Sequence, residues 1–405
     1  MSDGLNLDAV PGSFPEEAEA YRRQLLDDVL PFWTTHAVDR KHGGFATCLD
    51  QDGSLLGPDK PMWVQGRFAW LLARLYNQLE PRTEWLELAR HGLDFIEKHG
   101  FDADGRMFYS VDREGRPLRK RRYLFTETFA VIAFAEYARA TGDEACLARA
   151  KELFALVHRY HTTPGLLEPK VNPRTRPMKG HAMPMILLST CQLLRDADGS
   201  SQYQAAIDDS IREIRNDFAH PEFNALLETV GPSGEFIDTP EGRTVNPGHA
   251  IETAWFLMHE ARHRNDHDLL QFALTILDWS LEIGWDREFG GIYYFRDAKG
   301  LPCEQYEHDM KLWWPHTEAI YATLLAFRMT GNDSYRQWHE RVKGWAYTHF
   351  PDPTHGEWFG YLHRDGTLST RLKGNMWKGP FHLPRMLLNC WRLQCMPTCS
   401  LHPQG

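Results

Sequence analysis

Five stretches of this chain share one shape, an apolar or aromatic cluster that runs into a polar turn closed by glycine: "HGGFATCLDQDG" (42–53), "DGRMFYSVDREG" (104–115), "EFNALLETVGPSG" (222–234), "FGGIYYFRDAKG" (289–300) and "HGEWFGYLHRDG" (355–366). The closing glycines, 53, 115, 234, 300 and 366, are separated by 62, 119, 66 and 66 residues. The second interval is nearly two repeats long, so a sixth, degenerate unit is expected near its middle, where "PGLLEPKVNPRTRP" (164–177) lies. Each cluster running into its turn has the signature of a small β-hairpin.

Between these units apolar residues recur at helical spacing. The segments are 15–35, 62–80, 83–99, 122–141, 143–160, 180–196, 200–218, 247–264, 266–284, 309–330, 332–349 and 381–395. The twelve helices alternate between a long loop bearing a repeat unit and a short turn such as "TGD" (141–143), "DADGS" (196–200) or "TGN" (330–332). Six helix pairs of this kind close into an all-α, double-layered (α/α)6 barrel; the competing architecture is an open α-solenoid. The pairs lack obvious polar end caps, which favours closure. No composition shift marks a linker, so one domain is expected over 1–405, with the barrel from about 15 to 395. All six long loops join an odd helix to an even one. They therefore gather at one end, together with the N-termini of the even helices.

Composition narrows the partners. The net charge of −10 argues against nucleic acid. No apolar run approaches a membrane span, and the polar, acidic start does not resemble a signal peptide. Seven scattered cysteines contain no CxxC pair, Cys395 and Cys399 being the closest two. A disulfide framework is not indicated, and a reducing cytoplasm fits.

The even-helix entries carry the chemistry: "MWVQGRFAW" (62–70), "LFTETFA" (124–130), "KGHAMPM" (179–185), "NPGHAIETAW" (246–255), "DMKLWWPHTEAI" (309–320) and "WKGPFHLPR" (377–385). They place Arg67, Glu127, His181, His249, Glu252, His316, Glu318 and His382 around one mouth, with Trp63, Trp255, Trp313, Trp314 and Trp377. In a chain with twenty histidines a single one on a helix is ordinarily a satisfied core or surface residue. Four on even-helix entries are harder to explain that way. Pro380 and Pro384 bracket His382, and His249 follows Pro247–Gly248, so both sit at rigid helix starts. Glu252, three residues after His249, shares its helix face; the plain alternative is a local hydrogen bond that orders the helix start. The tryptophans suit the apolar faces of sugar rings, or are simply core. Two basic loops, "RPLRKRR" (116–122) and Lys170, Arg174, Arg176 and Lys179, are solvated surface or an anion site beside the pocket.

No HExxH or Cys/His cluster speaks for a metal. No GxSxG, P-loop or GxGxxG appears. Paired carboxylates on such a barrel would suit a glycosidase, with Glu127, Glu252 and Glu318 as candidates.

"NPGHAIETAWFL", "MKLWWPHTEA", "HGEWFGYL" and "FHLPR" resemble the N-acylglucosamine 2-epimerase family, also called renin-binding proteins, and the likeness runs from "HGGFATCL" to "PRMLLNCW". The resemblance implies an (α/α)6 barrel and an isomerase. It would interconvert N-acetylglucosamine and N-acetylmannosamine, or unmodified glucose and mannose, by proton exchange at C2. His249 and His382 match the family's acid/base histidines, Arg67 its active-site arginine and Glu252 the acid of the "GHAIE" element. Trp63, Glu127, His181, Trp313, His316, Glu318 and Trp377 are expected to bind substrate, with Glu252 orienting His249 or a sugar hydroxyl. No metal or cofactor is required; ATP enters as an activator in some relatives, and a homodimer is common among them. Two departures stand out. Pro380 replaces a cysteine frequent in N-acyl members, which leaves the N-acetyl preference open. Met185 stands where aldose–ketose isomerases tend to carry histidine, which speaks against an isomerase of that kind. A non-catalytic sugar- or protein-binding role is the remaining class.

Overall fold

A computed structural model describes residues 14–121 and 123–395; the two tails, with Cys399, and Arg122 lie outside it. Among the described residues twelve helical rods follow one another. The first, α1, is Pro15–Arg23, a π-helical turn Gln24–Val29 and Leu30–His36. The rest are α2 (Met62–Gln78), α3 (Thr83–His99), α4 (Phe125–Thr141), α5 (Glu144–Thr162), α6 (Ala182–Asp198), α7 (Gln204–Glu213, prolonged by a π-turn Ile214–Phe218), α8 (Pro247–Arg264), α9 (His267–Gly284), α10 (Trp313–Thr330), α11 (Asp333–His349) and α12 (His382–Cys395).

The even rods touch in the ring order α2, α4, α6, α8, α10, α12 and back to α2, so the barrel closes. Each odd rod lies outside against its even partner, α1 against α12. The sequence of each rod shows its layer. α10, "WWPHTEAIYATLLAFRMT", is buried on nearly every side, as an inner helix must be. α3, "TEWLELARHGLDFIEKH", buries one face, Trp85, Ala89, Gly92, Leu93, Phe95 and Ile96, and turns its charges outward. The apolar core fills the space between the layers.

Two of the short turns use one device. Gly142 ends α4 in the left-handed region (φ 73°), and the next residue, Asp143, accepts from the backbone N–H groups of Ala145 and Cys146 to start α5. Such a cap is worth about 1 kcal/mol. Gly331 and Asn332 repeat this between α10 and α11.

The five repeat glycines also act alike. Gly53, Gly115, Gly234, Gly300 and Gly366 all have positive φ, and each donates its N–H to the carbonyl three residues earlier. The expected self-contained hairpins form only in part. Cys48–Leu49 pairs with Leu55–Gly57, and Ser110–Val111 with Pro117–Arg119. Ala219–His220 pairs locally with Ala225–Leu226 as well, and the remaining strands reach across to the neighbouring loop. Lys60–Pro61 pairs with Ser110–Val111, Lys179–Gly180 with Thr229–Val230, Thr244–Val245 with Arg296–Asp297, and Lys311–Leu312 with Tyr361–Leu362. A bridge from Leu49 to Gly374 adds one more link. The segment just before each inner helix except α4 is thus tied to the next loop around the rim. Unit 164–177 contributes no strand.

Lysines pin the same loops from below. Lys60 bonds Asp39 at 3.1 Å, Lys311 bonds Asp286 at 3.0 Å and Lys373 pairs with Asp352 at 3.0 Å, all with buried side chains. In each case the aspartate stands three residues before a repeat unit and the lysine follows that unit in the same loop. Among the described residues no helix is long and apolar enough to cross a membrane.

Candidate active site

Each inner helix presents one stripe to the barrel axis, and together the stripes line a cavity of about 2080 Å³. On α2 the stripe is Trp63, Arg67, Trp70, Arg74 and Gln78; on α8 it includes His249, Glu252, Trp255, Phe256, His259 and Arg262. Residues three or four apart share a helix face, which is why the spacing repeats. The loop-side end of the cavity also holds Tyr294, Trp313, Trp314, Tyr361, Asn375, Trp377, His382 and Arg385.

His249 sits in the first turn of α8, whose N-cap, Asn246, accepts from the His249 backbone N–H at 3.1 Å. Its ring Nδ1 lies 3.0 and 3.1 Å from the two carboxylate oxygens of Glu228. A carboxylate only accepts here, so Nδ1 carries the proton and Nε2 is left for the cavity. Burial alone would lower the pKa of His249, but the Glu228 charge outweighs it and the net shift is upward, helped by Glu252. Glu228 is correspondingly held below the ordinary carboxylate range, its burial outweighed by His249 and His181.

His382 opens α12 and points Nδ1 at Glu318 Oε1, 2.7 Å away. Glu318 is shared: Arg385 donates to the same oxygen at 2.7 Å, and Trp255 Nε1 donates to the other at 2.8 Å. Arg385 also donates to Glu252 Oε1 at 2.5 Å. Its guanidinium satisfies both acids and sits 3.4 Å from His382 Nδ1. Burial first, and then Arg385, drive the pKa of His382 well below the usual histidine value. The two histidines are therefore pushed in opposite directions, His249 toward holding a proton and His382 toward the neutral form.

Trp314 lies against both, its ring 5.1 Å from His249 and 5.6 Å from His382. A side chain at Gly248 would meet that indole at 2.6 Å, so this position must be glycine for Trp314 to reach the histidines. Arg67 is caged by three aromatic rings, with its guanidinium carbon 4.4 Å from Trp63, 4.1 Å from Phe129 and 4.7 Å from Phe381. Its Nε is buried without a hydrogen-bond partner. Burial, with Arg385 adding repulsion, lowers its pKa to about 9. A caged guanidinium with an idle N–H can take up negative charge that forms beside it.

Trp63, Trp313 and Trp377 line the mouth, with Trp377 at the exposed rim. Others among the expected ligands lie elsewhere. Glu127 is fully buried and accepts from Arg106 Nε at 2.5 Å and from the Met107 N–H at 3.0 Å, which ties a loop to α4. His316 is a core histidine: it stacks on Trp345, donates Nδ1–H to the Leu312 carbonyl and accepts the Ile292 N–H. Burial pushes its pKa down to about 3. His181 is buried behind Glu228, 3.1 Å from the Thr253 hydroxyl. Glu252 bonds Arg385, and the residue that orients His249 is Glu228. Glu318 supports His382 from behind.

Glu252, Glu318 and His382 bring ligand atoms within 4.8 Å of one another, a grouping of the size a metal ion needs. The Arg385 guanidinium already occupies the cationic position between the two acids, so this donor set does not fit a metal.

The family model for N-acylglucosamine 2-epimerase (GlcNAc 2-epimerase) matches residues 43–382. The chain belongs to that family. It is 37% identical to N-acylglucosamine 2-epimerase of Bos taurus over 373 residues, covering 90% of this chain and 88% of the relative. It is 35% identical to the Homo sapiens enzyme of the same name over 404 residues, covering 96% and 94%. Its fold is similar to that of the solved cellobiose 2-epimerase from Bacillus thermoamylovorans, with a TM-score of 0.82 over 94% of this chain and all of the other, at 21% identity.

Proposed function

We propose that this enzyme is a cofactor-independent sugar 2-epimerase that interconverts N-acetylglucosamine and N-acetylmannosamine. The observation that carries this reading is the pair of histidines on one mouth, each with Nδ1 held by a glutamate and both rings packed against Trp314. Inverting C2 needs the open-chain aldehyde, because only there is the C2 proton acidic. Neutral His382 removes that proton through Nε2, and the bonding pair moves toward the C1 carbonyl, giving an enolate. Arg67 stabilises the charge on the oxygen. Charged His249 then delivers a proton from Nε2 to the other face of C2. In the reverse direction the same two groups start with their protons exchanged. Glu318 and Glu228 hold the rings in the tautomers that this requires, and Trp314 braces both.

The names of the relatives support the N-acetylated substrate. Unmodified glucose and mannose remain the second reading, since the same two histidines would serve a C2 hydroxyl equally well. The hydrolase reading is weaker. A glycosidase needs a carboxylic acid with a proton to lend, whereas Glu252 and Glu318 both accept from Arg385. ATP as an activator would meet Arg121, which lies over Tyr109 and Trp377 at the mouth, and Lys170 over Tyr123. A cytoplasmic location and a homodimer complete the proposal. Turnover of N-acetylmannosamine, mannose, glucose and cellobiose, each with and without ATP, tests it. Activity on the unmodified sugars alone would overturn the substrate, and glycoside cleavage the reaction.

A further inference from the structure

Inversion at C2 constrains where the substituent on that carbon can lie. His249 and His382 address opposite faces of C2, and both rings pack on Trp314, at 5.1 and 5.6 Å. C2 therefore sits beside that indole. In the planar enolate the C2 substituent lies between the two histidines and leaves edgewise, so it meets whatever flanks Trp314.

Tyr294 flanks it. The phenol ring stands edge-on to the indole, with ring centroids 6.2 Å apart and planes at 87°, and it lines the cavity. Its neighbour in "FGGIYYFRDAKG", Tyr293, accepts from Arg364 instead. Three of the four tyrosines that line the cavity have engaged hydroxyls: Tyr321 with His259 at 2.7 Å, Tyr361 with Asn375 at 3.1 Å and Tyr123 with Arg121. The fourth is Tyr294, whose hydroxyl bonds nothing among the described residues. Burial first, and then Tyr361, Glu307 and Glu228, raise its pKa, so it keeps its proton and can donate a hydrogen bond. Met310 and Leu312 also line the cavity, in the segment that leads into Trp313 and Trp314. The Phe295 N–H donates to the His308 carbonyl at 2.9 Å, which holds that segment beside Tyr294. One free donor thus stands next to an apolar wall. An acetamido group has two ends of the matching kind, a carbonyl that needs a donor and a methyl that avoids water.

We propose that Tyr294 recognises the acetamido group at C2: its hydroxyl donates to the acetamido carbonyl, and the methyl lies against Met310 and Leu312. The assignment rests on the N-acetylated reading and names the residue that makes the distinction. A bare hydroxyl at C2 brings neither the carbonyl nor the methyl, so mannose leaves the phenol as unpartnered as it is in the free protein.

Steady-state kinetics of the full chain test this, with N-acetylmannosamine as substrate and mannose as substrate or as inhibitor of that reaction. Tyr294→Phe keeps the ring against Trp314 and removes only the hydroxyl. Its kcat/KM for N-acetylmannosamine should fall about tenfold. The fall should lie in KM, because the acetamido carbonyl is present alike in the sugar and in the enolate. The constant for mannose, KM or Ki, should stay within about twofold of wild type. The melting temperature should not change, since the hydroxyl bonds nothing in the free protein. Unchanged kinetics with N-acetylmannosamine, an equal loss with mannose, or a lowered melting temperature would each overturn the assignment and leave the N-acetylated reading standing. A wild type that turns over mannose but not N-acetylmannosamine would instead remove the reading itself, and the assignment with it.

Discussion

Glu228 holds His249 with both carboxylate oxygens on a single ring nitrogen, at 3.0 and 3.1 Å. The pair joins a rim loop to the first turn of α8. It raises the pKa of His249, the group assigned the acid's role.

The profile of kcat/KM against pH should therefore be a broad bell. The pKa of His382 is depressed, so the acid limb falls below about 6.5, the ordinary histidine value. The pKa of His249 is raised, so the basic limb falls above that value. In Glu228→Gln the raising charge is gone and burial takes over, which should move the basic limb to lower pH while the acid limb stays. A basic limb that does not move would show that another group sets it.

Removing either histidine should cost about 10²–10⁴ in kcat, with the fold unchanged by circular dichroism. The two variants differ in heavy water. His249→Asn retains the base, so it should exchange the C2 proton of one epimer for deuterium without inverting it. Exchange of both epimers at equal rates, or of neither, is the contrary result, read by proton NMR.

Arg385 neutralises two buried acids at once. Arg385→Ala leaves Glu252 and Glu318 without their common partner and should destabilise the fold by about 3–5 kcal/mol, measured by urea unfolding. Adding Glu252→Gln to it should recover part of that loss, because one buried charge is removed.

Gly248→Ala tests Trp314. Alanine in a helix is favoured over glycine by about 1 kcal/mol, yet its Cβ would meet the indole at 2.6 Å. The expected result is a folded protein with much lower kcat, because the indole that braces both rings is displaced. His316→Gln should do the opposite, lowering the melting temperature while kcat/KM stays within about twofold of wild type.

The repeat made the architecture legible, since glycines at regular intervals mark turns and the intervening periodicity marks helices. It also put Arg67, His249 and His382 at one mouth. Motif position could not separate His249 from His316, which both sit in first turns of inner helices. The difference is the face each occupies, toward the axis or toward Trp345 in the outer layer, and a run as apolar as α10 hides its own orientation. Arg385 was within reach, three residues after His382 and so on the same face. Glu228 was not. It lies 21 residues from His249 in a different segment, and only the closure of the rim brings them together. The pairings between loops are hidden for a related reason: a strand of two residues carries no pattern that names its partner.

The rim strands have a consequence for how such a protein can change. Neighbouring loops are joined largely by main-chain hydrogen bonds, which are indifferent to the side chains they carry. A loop can therefore replace the residues it offers the cavity and still be gripped by its neighbours. New specificities can be tried one loop at a time, while the histidines, anchored on the helices beneath, keep their aim.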